Sequence, residues 1–229
     1  MPYRNVCEKI NGTGHAEAFY LSPFTSSHSW SVGEICRTVT DLCGREGRKY
    51  IYTYWNQPDY DMHEFGTQHT HVASDVRQIN ELVEKMCGTL SDTLVIVTAD
   101  HGLIDTEWRY FSDYPQITEC LERAPSVETR ALSFFIKDGR RGKFESEFHQ
   151  HFDDAYQLFT KEEVLSLKLF GGGIPHPRTA GFLGDYLAVA VGHVSIDMNP
   201  LALGGTMRAS HAGMTADEME IPFIAVKCV

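Results

Sequence analysis

Thr93-Leu94-Val95-Ile96-Val97-Thr98-Ala99-Asp100-His101-Gly102 constrains the fold more than any other stretch. Four consecutive apolar residues, mostly β-branched, are too few for an isolated helix and specify a strand buried on both faces, as in a parallel sheet. The strand ends in an acid and an imidazole. Ligands of open α/β sheets bind beyond the carboxyl ends of the strands, which makes Asp100 and His101 candidate site residues. Together they offer one hard oxygen and one borderline nitrogen, a donor set suited to zinc and, less selectively, to manganese or iron. Gly102 then lets the backbone turn without a side chain crowding the site. The plainer alternative is that Asp100 caps a helix and His101 is a satisfied polar residue at a strand end.

With 229 residues, the chain is long enough to bury a real core, as one large domain or two small ones. No apolar run approaches membrane-spanning length, so no membrane span is expected. A net charge of -11 argues against a nucleic-acid polymer or an anionic membrane surface as partner. It leaves a phosphate substrate open, because bound cations reverse the local sign. The six cysteines are scattered without a C-x-x-C pair, and the start Met1-Pro2-Tyr3-Arg4 lacks the pattern of a signal peptide. Both features lead to the expectation of a reducing, cytoplasmic setting with free thiols.

Residues 1 to about 31 have weak periodicity, and regular structure is expected to start near Val32. Val32, Ile35, Val39 and Leu42 recur at helical spacing before Gly44. Tyr50 to Trp55 follows as a strand, ended by Pro58, and then a loop from Asp59 to Gly66. A second helix carries Val72, Val76, Ile79, Val83 and Met86 on one face and stops at Gly88. This helix-strand alternation implies right-handed crossovers and a parallel sheet with helices on its faces. Beyond Ile104 the spacing specifies helices near Gln116 to Arg123, Phe144 to Phe152 and Lys161 to Leu169. Strands are expected at Arg130 to Ile136, Tyr186 to Val191 and, as a buried type, Ile221 to Val226. Residues 105–205 are either ordinary continuation of the sheet or a cap over a substrate pocket.

Most of the eleven histidines occupy helix starts, charged segments or loops. Three segments differ, each lying just past a strand or beside a glycine. Asp59 and His63 are four apart in Pro58-Asp59-Tyr60-Asp61-Met62-His63-Glu64-Phe65-Gly66, so one helical turn aims both side chains the same way. Asp100-His101 is the second segment. The third is His211-Ala212-Gly213-Met214, followed by Glu218-Met219-Glu220-Ile221-Pro222. Together they point to a two-metal site.

In order and spacing, Pro-Asp-x-x-x-His-x-x-Gly, Val-x-x-Asp-His-Gly and His-x-Gly-x-x-x-x-Glu-Met-x-x-Pro resemble the alkaline phosphatase superfamily, nearest its type I phosphodiesterase/nucleotide pyrophosphatase branch. The resemblance runs from about Val32 to the C-terminus. It implies an α/β fold with a mixed, mostly parallel sheet and helices on both faces, here N-terminally truncated. It also implies a single metal-hydrolase domain over residues 1–229 acting on a small phosphate ester or nucleotide. Carried over, Asp59, His63 and His211 hold one divalent ion, while Asp100 and His101 contribute to a second. Zinc is expected and manganese is the alternative; two ions belong to the complete site and one is expected here.

In the family an Asp after the first strand and a Thr or Ser nucleophile complete the second site, and no such segment stands in the first thirty residues. Thr25, within Ser22 to His28, superficially resembles a nucleophile segment, but a polar loop is the expected reading. The chain is therefore expected to turn over little by itself and, with a sheet edge uncovered, to self-associate as a homo-oligomer. Competing readings are a phosphomutase or phosphatase of the same superfamily, a non-catalytic metal-binding fragment and a non-haem iron oxygenase built on two His and one carboxylate. Tyr54, Trp55 and Tyr60 are candidates for nucleobase stacking, although aromatics in and after a strand more often pack a core.

Overall fold

The computed structural model describes residues 4–24, 30–201 and 207–229. In chain order the first elements are α1 (Val6–Asn11), β1 (Glu17–Leu21), α2 (Val32–Cys43), β2 (Lys49–Thr53), α3 (Asp59–Phe65), α4 (Thr70–Cys87) and β3 (Thr93–Thr98). Next come β4 (Ile104–Asp105), β5 (Glu107–Tyr110), a 3-10 turn at Phe111–Asp113, α5 (Pro115–Thr118), β6 (Ser126–Glu128), β7 (Ala131–Phe134) and α6 (Arg141–Phe152). The last are β8 (Tyr156–Thr160), α7 (Lys161–Ser166), α8 (Thr179–Leu183), β9 (Tyr186–Ala190), β10 (Val194–Asp197), β11 (Ala209–Ser210), α9 (Ala216–Met219) and β12 (Phe223–Cys228).

Regular structure begins earlier than periodicity implies, with α1 and β1 ahead of Val32. A helix of six residues is too short to show a stripe; its cap defines it, Asn5 and Glu8 closing a reciprocal capping box. The longer helices follow the sequence closely. Ser31 and Glu34 box the start of α2, Gly44 caps its end, and Gly88 caps α4. Among the described residues no helix is long and apolar enough to cross a membrane.

The chain forms two compact units. The first comprises Met1–Asp61, His69–Thr98 and Pro222–Val229. In it β1, α2 and β2 make a strand-helix-strand crossover, with β1 and β2 parallel from Glu17↔Lys49 to Leu21↔Thr53. Helix α2 buries Val32, Ile35, Cys36, Val39 and Leu42 and packs on α4. β3 pairs antiparallel with β12, Val97 opposite Ile224. Neither strand is buried as its composition implies: Leu94 is 64% exposed, Ile96 51% and Phe223 73%. Composition records what a strand is suited to pack against, and the described residues do not supply that covering layer.

The second unit comprises Met62–Gln68 and Ala99–Ile221. Its largest sheet is antiparallel in the order β6-β7-β9-β8; β5 and β10 pair in parallel, and β4 pairs antiparallel with β11. The fold is thus α/β with mixed sheets, and its parallel pairings among the described strands are β1–β2 and β5–β10. β9 is buried along its whole length, and α6 turns Phe144, Phe148 and Phe152 into a core shared with Phe111, Phe134 and Tyr156.

Candidate metal centre

Residues expected as a loop after Pro58 instead form α3, and this places the first two candidate ligands. Asp59 opens the helix and His63 lies one turn later. Asp59 and His63 thus share one element. Residues 208 and 209 hold the His63 end from two sides. The Arg208 amide donates to the His63 carbonyl at 2.8 Å, and His63 Nδ1 lies 2.8 Å from the Ala209 carbonyl oxygen. A carbonyl only accepts, so Nδ1 carries the proton and Nε2 keeps its lone pair for a ligand.

His211 follows β11 directly. Its ring centroid is 5.2 Å from that of His63, and the His101 ring stacks on it at 3.8 Å and 22°. Asp59, His63 and His211 each offer a ligand atom, all within 4.8 Å of one another; among the described residues no other three such side chains converge so closely. His101 has Nδ1 3.2 Å from the Gly102 carbonyl oxygen, which leaves Nε2 3.7 Å from Asp100 Oδ1. The Asp100 side chain is largely in solvent. The structure therefore gathers Asp59, His63 and His211, stacks His101 against the last of these, and leaves Asp100 beside His101 at the surface. Thr25 lies outside the described residues.

The loop bearing His211 is fixed by a pair that its motif half revealed. Glu218 and Arg130 are both fully enclosed. Arg130 Nε and Nη2 donate to the two carboxylate oxygens, each at 2.7 Å, and Nη1 and Nη2 also reach the Val194 and Gly192 carbonyls. Glu218 further accepts from the Gly213 amide at 2.8 Å and the Thr215 hydroxyl at 2.6 Å, bracketing the turn just after His211. A Cβ on Gly213 would lie 2.6 Å from the Glu218 carboxylate and 2.7 Å from the Arg130 guanidinium, which explains the glycine two residues after the histidine. Gly102 has a similar reason. Its Cβ would collide with the Asp217 carbonyl, and its amide donates to the Glu218 carbonyl at 2.8 Å. Close approach, more than a sharp turn, requires glycine there, and it ties the Asp100-His101 loop to the His211 loop. Arg130 was visible only as a lone charge opening an apolar strand.

Burial alone pushes the Glu218 carboxyl up, but the Arg130 fork and the Thr215 and Gly213 donors outweigh it and hold the group below its ordinary range. Three other histidines have other engagements: His69 caps α4, His149 pairs with Asp153 at 2.6 Å, and His151 lies near Glu147 and Gln116.

The type I phosphodiesterase/nucleotide pyrophosphatase profile matches residues 11–182. The chain belongs to the type I phosphodiesterase/nucleotide pyrophosphatase family. The match starts before Val32 and ends before His211, so it contains Asp59, His63, Asp100 and His101, while His211 enters through geometry. No curated relative matches the chain. Murine ectonucleotide pyrophosphatase/phosphodiesterase 5, solved as an inactive variant with AMP, is 16% identical with a TM-score of 0.65, covering 94% of this chain and 61% of its own. The human counterpart is 14% identical with a TM-score of 0.66, covering 97% and 63%. Phosphonoacetate hydrolase from Sinorhizobium meliloti 1021, solved with phosphonoacetate, is 13% identical with a TM-score of 0.67, covering 97% and 68%. These likenesses show the shared fold. The chain spans about three fifths of the length of the ectonucleotide pyrophosphatase/phosphodiesterase structures it matches.

Proposed function

We propose that this chain is the metal-binding portion of a metal-dependent phosphate-ester hydrolase, with Asp59, His63 and His211 as ligands of one divalent ion. The observation that carries the reading is the convergence of those three side chains within 4.8 Å. The donor set fits the ion: two imidazoles and one carboxylate suit zinc, manganese being the alternative, and three protein ligands leave a position open. Bound there, a divalent ion supplies Lewis-acid polarisation of a phosphoryl oxygen and acidifies coordinated water.

The chain's own residues position and tune this site. The Ala209 carbonyl fixes the His63 tautomer, the His101 ring braces His211, and the Arg130–Glu218 pair keeps the His211 turn from relaxing. Asp100 and His101 contribute to a second ion, held weakly because Asp100 is solvated. Neutral imidazoles and an ionised carboxylate are needed, so ion affinity falls in acid.

The substrate is a small phosphate ester or nucleotide, a class that agrees with the AMP and phosphonoacetate bound by the similar structures. Tyr60 is exposed on α3 and available to stack on a base, whereas Tyr54 packs against Phe24. Residues 105–205 act as the cap over this substrate. The partial coverage of its neighbours and the uncovered strands β3 and β12 favour a second, narrower reading, in which the isolated chain binds metal with little turnover and self-associates through those strands. The six free thiols support a cytoplasmic setting.

Hydrolysis of bis-p-nitrophenyl phosphate with added zinc or manganese tests the proposal. Slow, metal-dependent release lost in His63→Ala supports it. Turnover insensitive to chelator overturns it.

A further inference from the structure

The segment between β8 and β9 departs from the charge of the rest of the chain. From Val164 to Gly184 it holds none of the 31 acidic residues, the longest such run in the sequence, while Lys168 and Arg178 are basic. Its two ends are anchored. Val164 on α7 and Leu183 on α8 are buried with Phe159, Leu187 and Val189, and Leu165 and Leu169 pack against this small core. The side chains between them point the other way. Leu167, Phe170 and Phe182 are more than half exposed, and Ile174 is 99% exposed. A Cβ on Gly171, Gly172 or Gly173 would meet nothing within 4 Å among the described residues, so the backbone there stands clear of the unit that carries it. Turns close both ends of this tip, the Gly171 amide donating to the Lys168 carbonyl at 2.8 Å and the Thr179 amide to the His176 carbonyl at 2.9 Å.

We propose that this tip docks on a lipid bilayer bearing anionic headgroups, with Phe170 and Ile174 entering the boundary between headgroups and acyl chains and Lys168 and Arg178 pairing with the headgroup anions. Exposed apolar side chains gathered in one segment mark a contact site. Here they lie within a few residues of two cations and no acid, a pairing that complements an anionic lipid surface. Scattered apolar side chains on an irregular tip also need a partner that adapts to them, as a fluid interface does. The peptide groups of such a segment still require water, which limits entry to the interface and keeps the tip out of the hydrocarbon core. The net charge of -11 repels an anionic surface from the chain as a whole. Screening confines that repulsion to about 8 Å at physiological ionic strength, so local charge decides which part of the molecule approaches. Each cation at an anionic leaflet strengthens binding roughly fivefold. Two cations and a few apolar side chains therefore give a weak, reversible attachment. It involves none of the residues of the metal centre and is independent of the hydrolase reading.

The test is co-sedimentation of the 229-residue chain with vesicles of phosphatidylcholine alone and of phosphatidylcholine mixed equally with phosphatidylserine, together with hydrogen exchange read by mass spectrometry. The expected result is binding to the mixed vesicles only, weakened by high salt, with amide exchange slowed across residues 167–182. Ile174→Ser should weaken binding about tenfold. Replacing Lys168 and Arg178 together by Ala should weaken it about 30-fold. All three side chains are in water, so the thermal midpoints of these variants should match the wild type. No binding to mixed vesicles, equal binding to neutral ones, or protection confined to another segment would overturn the proposal. Exchange slowed in 167–182 by concentrating the chain without lipid would overturn it too, in favour of a second copy as the occupant. The wild-type exchange measurement decides the matter whether or not a variant folds.

Discussion

The two units use similar apolar residues to different ends. In the second, Phe111, Phe134, Phe144, Phe148 and Phe152 are wholly enclosed, with neighbouring ring centroids 5.0 to 5.7 Å apart in tilted and edge-on contacts. In the first, the core-type strands β3 and β12 leave Leu94, Ile96, Phe223 and Ile224 more than half exposed. The second unit completes a core within its own residues. The first builds a scaffold of helices and strands whose apolar sequence exceeds what the described residues cover.

The strongest way to break this comparison is to truncate the enclosed ring system. Phe148→Ala is expected to destabilise the second unit by about 4 kcal/mol, since it leaves a cavity among four packed rings; urea denaturation would show it as a lower midpoint. Glu218→Gln strands the buried Arg130 charge and should cost about 3 kcal/mol. Because the same carboxylate orders the turn after His211, this variant should also weaken zinc binding, readable by titration calorimetry.

Acid sharpens the same point. The depressed carboxyl of Glu218 contributes stability that is fully present above its ordinary value of 4.5 and is lost as pH falls through the lower folded-state value. Thermal midpoints should therefore hold steady down to about pH 4.5 and decline below it, levelling off once the folded-state value is passed, and no decline below 4.5 would remove the pair from the account. The smallest effect belongs to the first unit. Ile96→Thr should change stability by less than about 0.5 kcal/mol, because more than half of the side chain is already in water. It should instead reduce self-association in sedimentation.

Much of this was legible in the sequence, for specific reasons. Helices α2 and α4 are long enough to show their period and carry glycine stops, and the Asp59–His63 spacing anticipated a shared helical face even where a loop was expected. The segments of Asp100-His101 and His211 were recognisable because each follows a strand and stands near a glycine. Other features depend on partners distant in the chain. That Leu94 and Ile96 face water cannot follow from Leu-Val-Ile-Val, since composition does not say which residues will cover a strand. Arg130 gained its meaning only from Glu218, 88 residues later.

The central claim is that Asp59, His63 and His211 form a metal centre, and metal content tests it most directly. The wild-type chain and His211→Ala would each be dialysed against a zinc and manganese mixture, then against buffer, and analysed by elemental mass spectrometry. The account predicts about one tightly held ion per wild-type chain and its loss in the variant, as expected for removal of one of three ligands. A wild-type chain without bound metal, or a variant that keeps its ion, would contradict it.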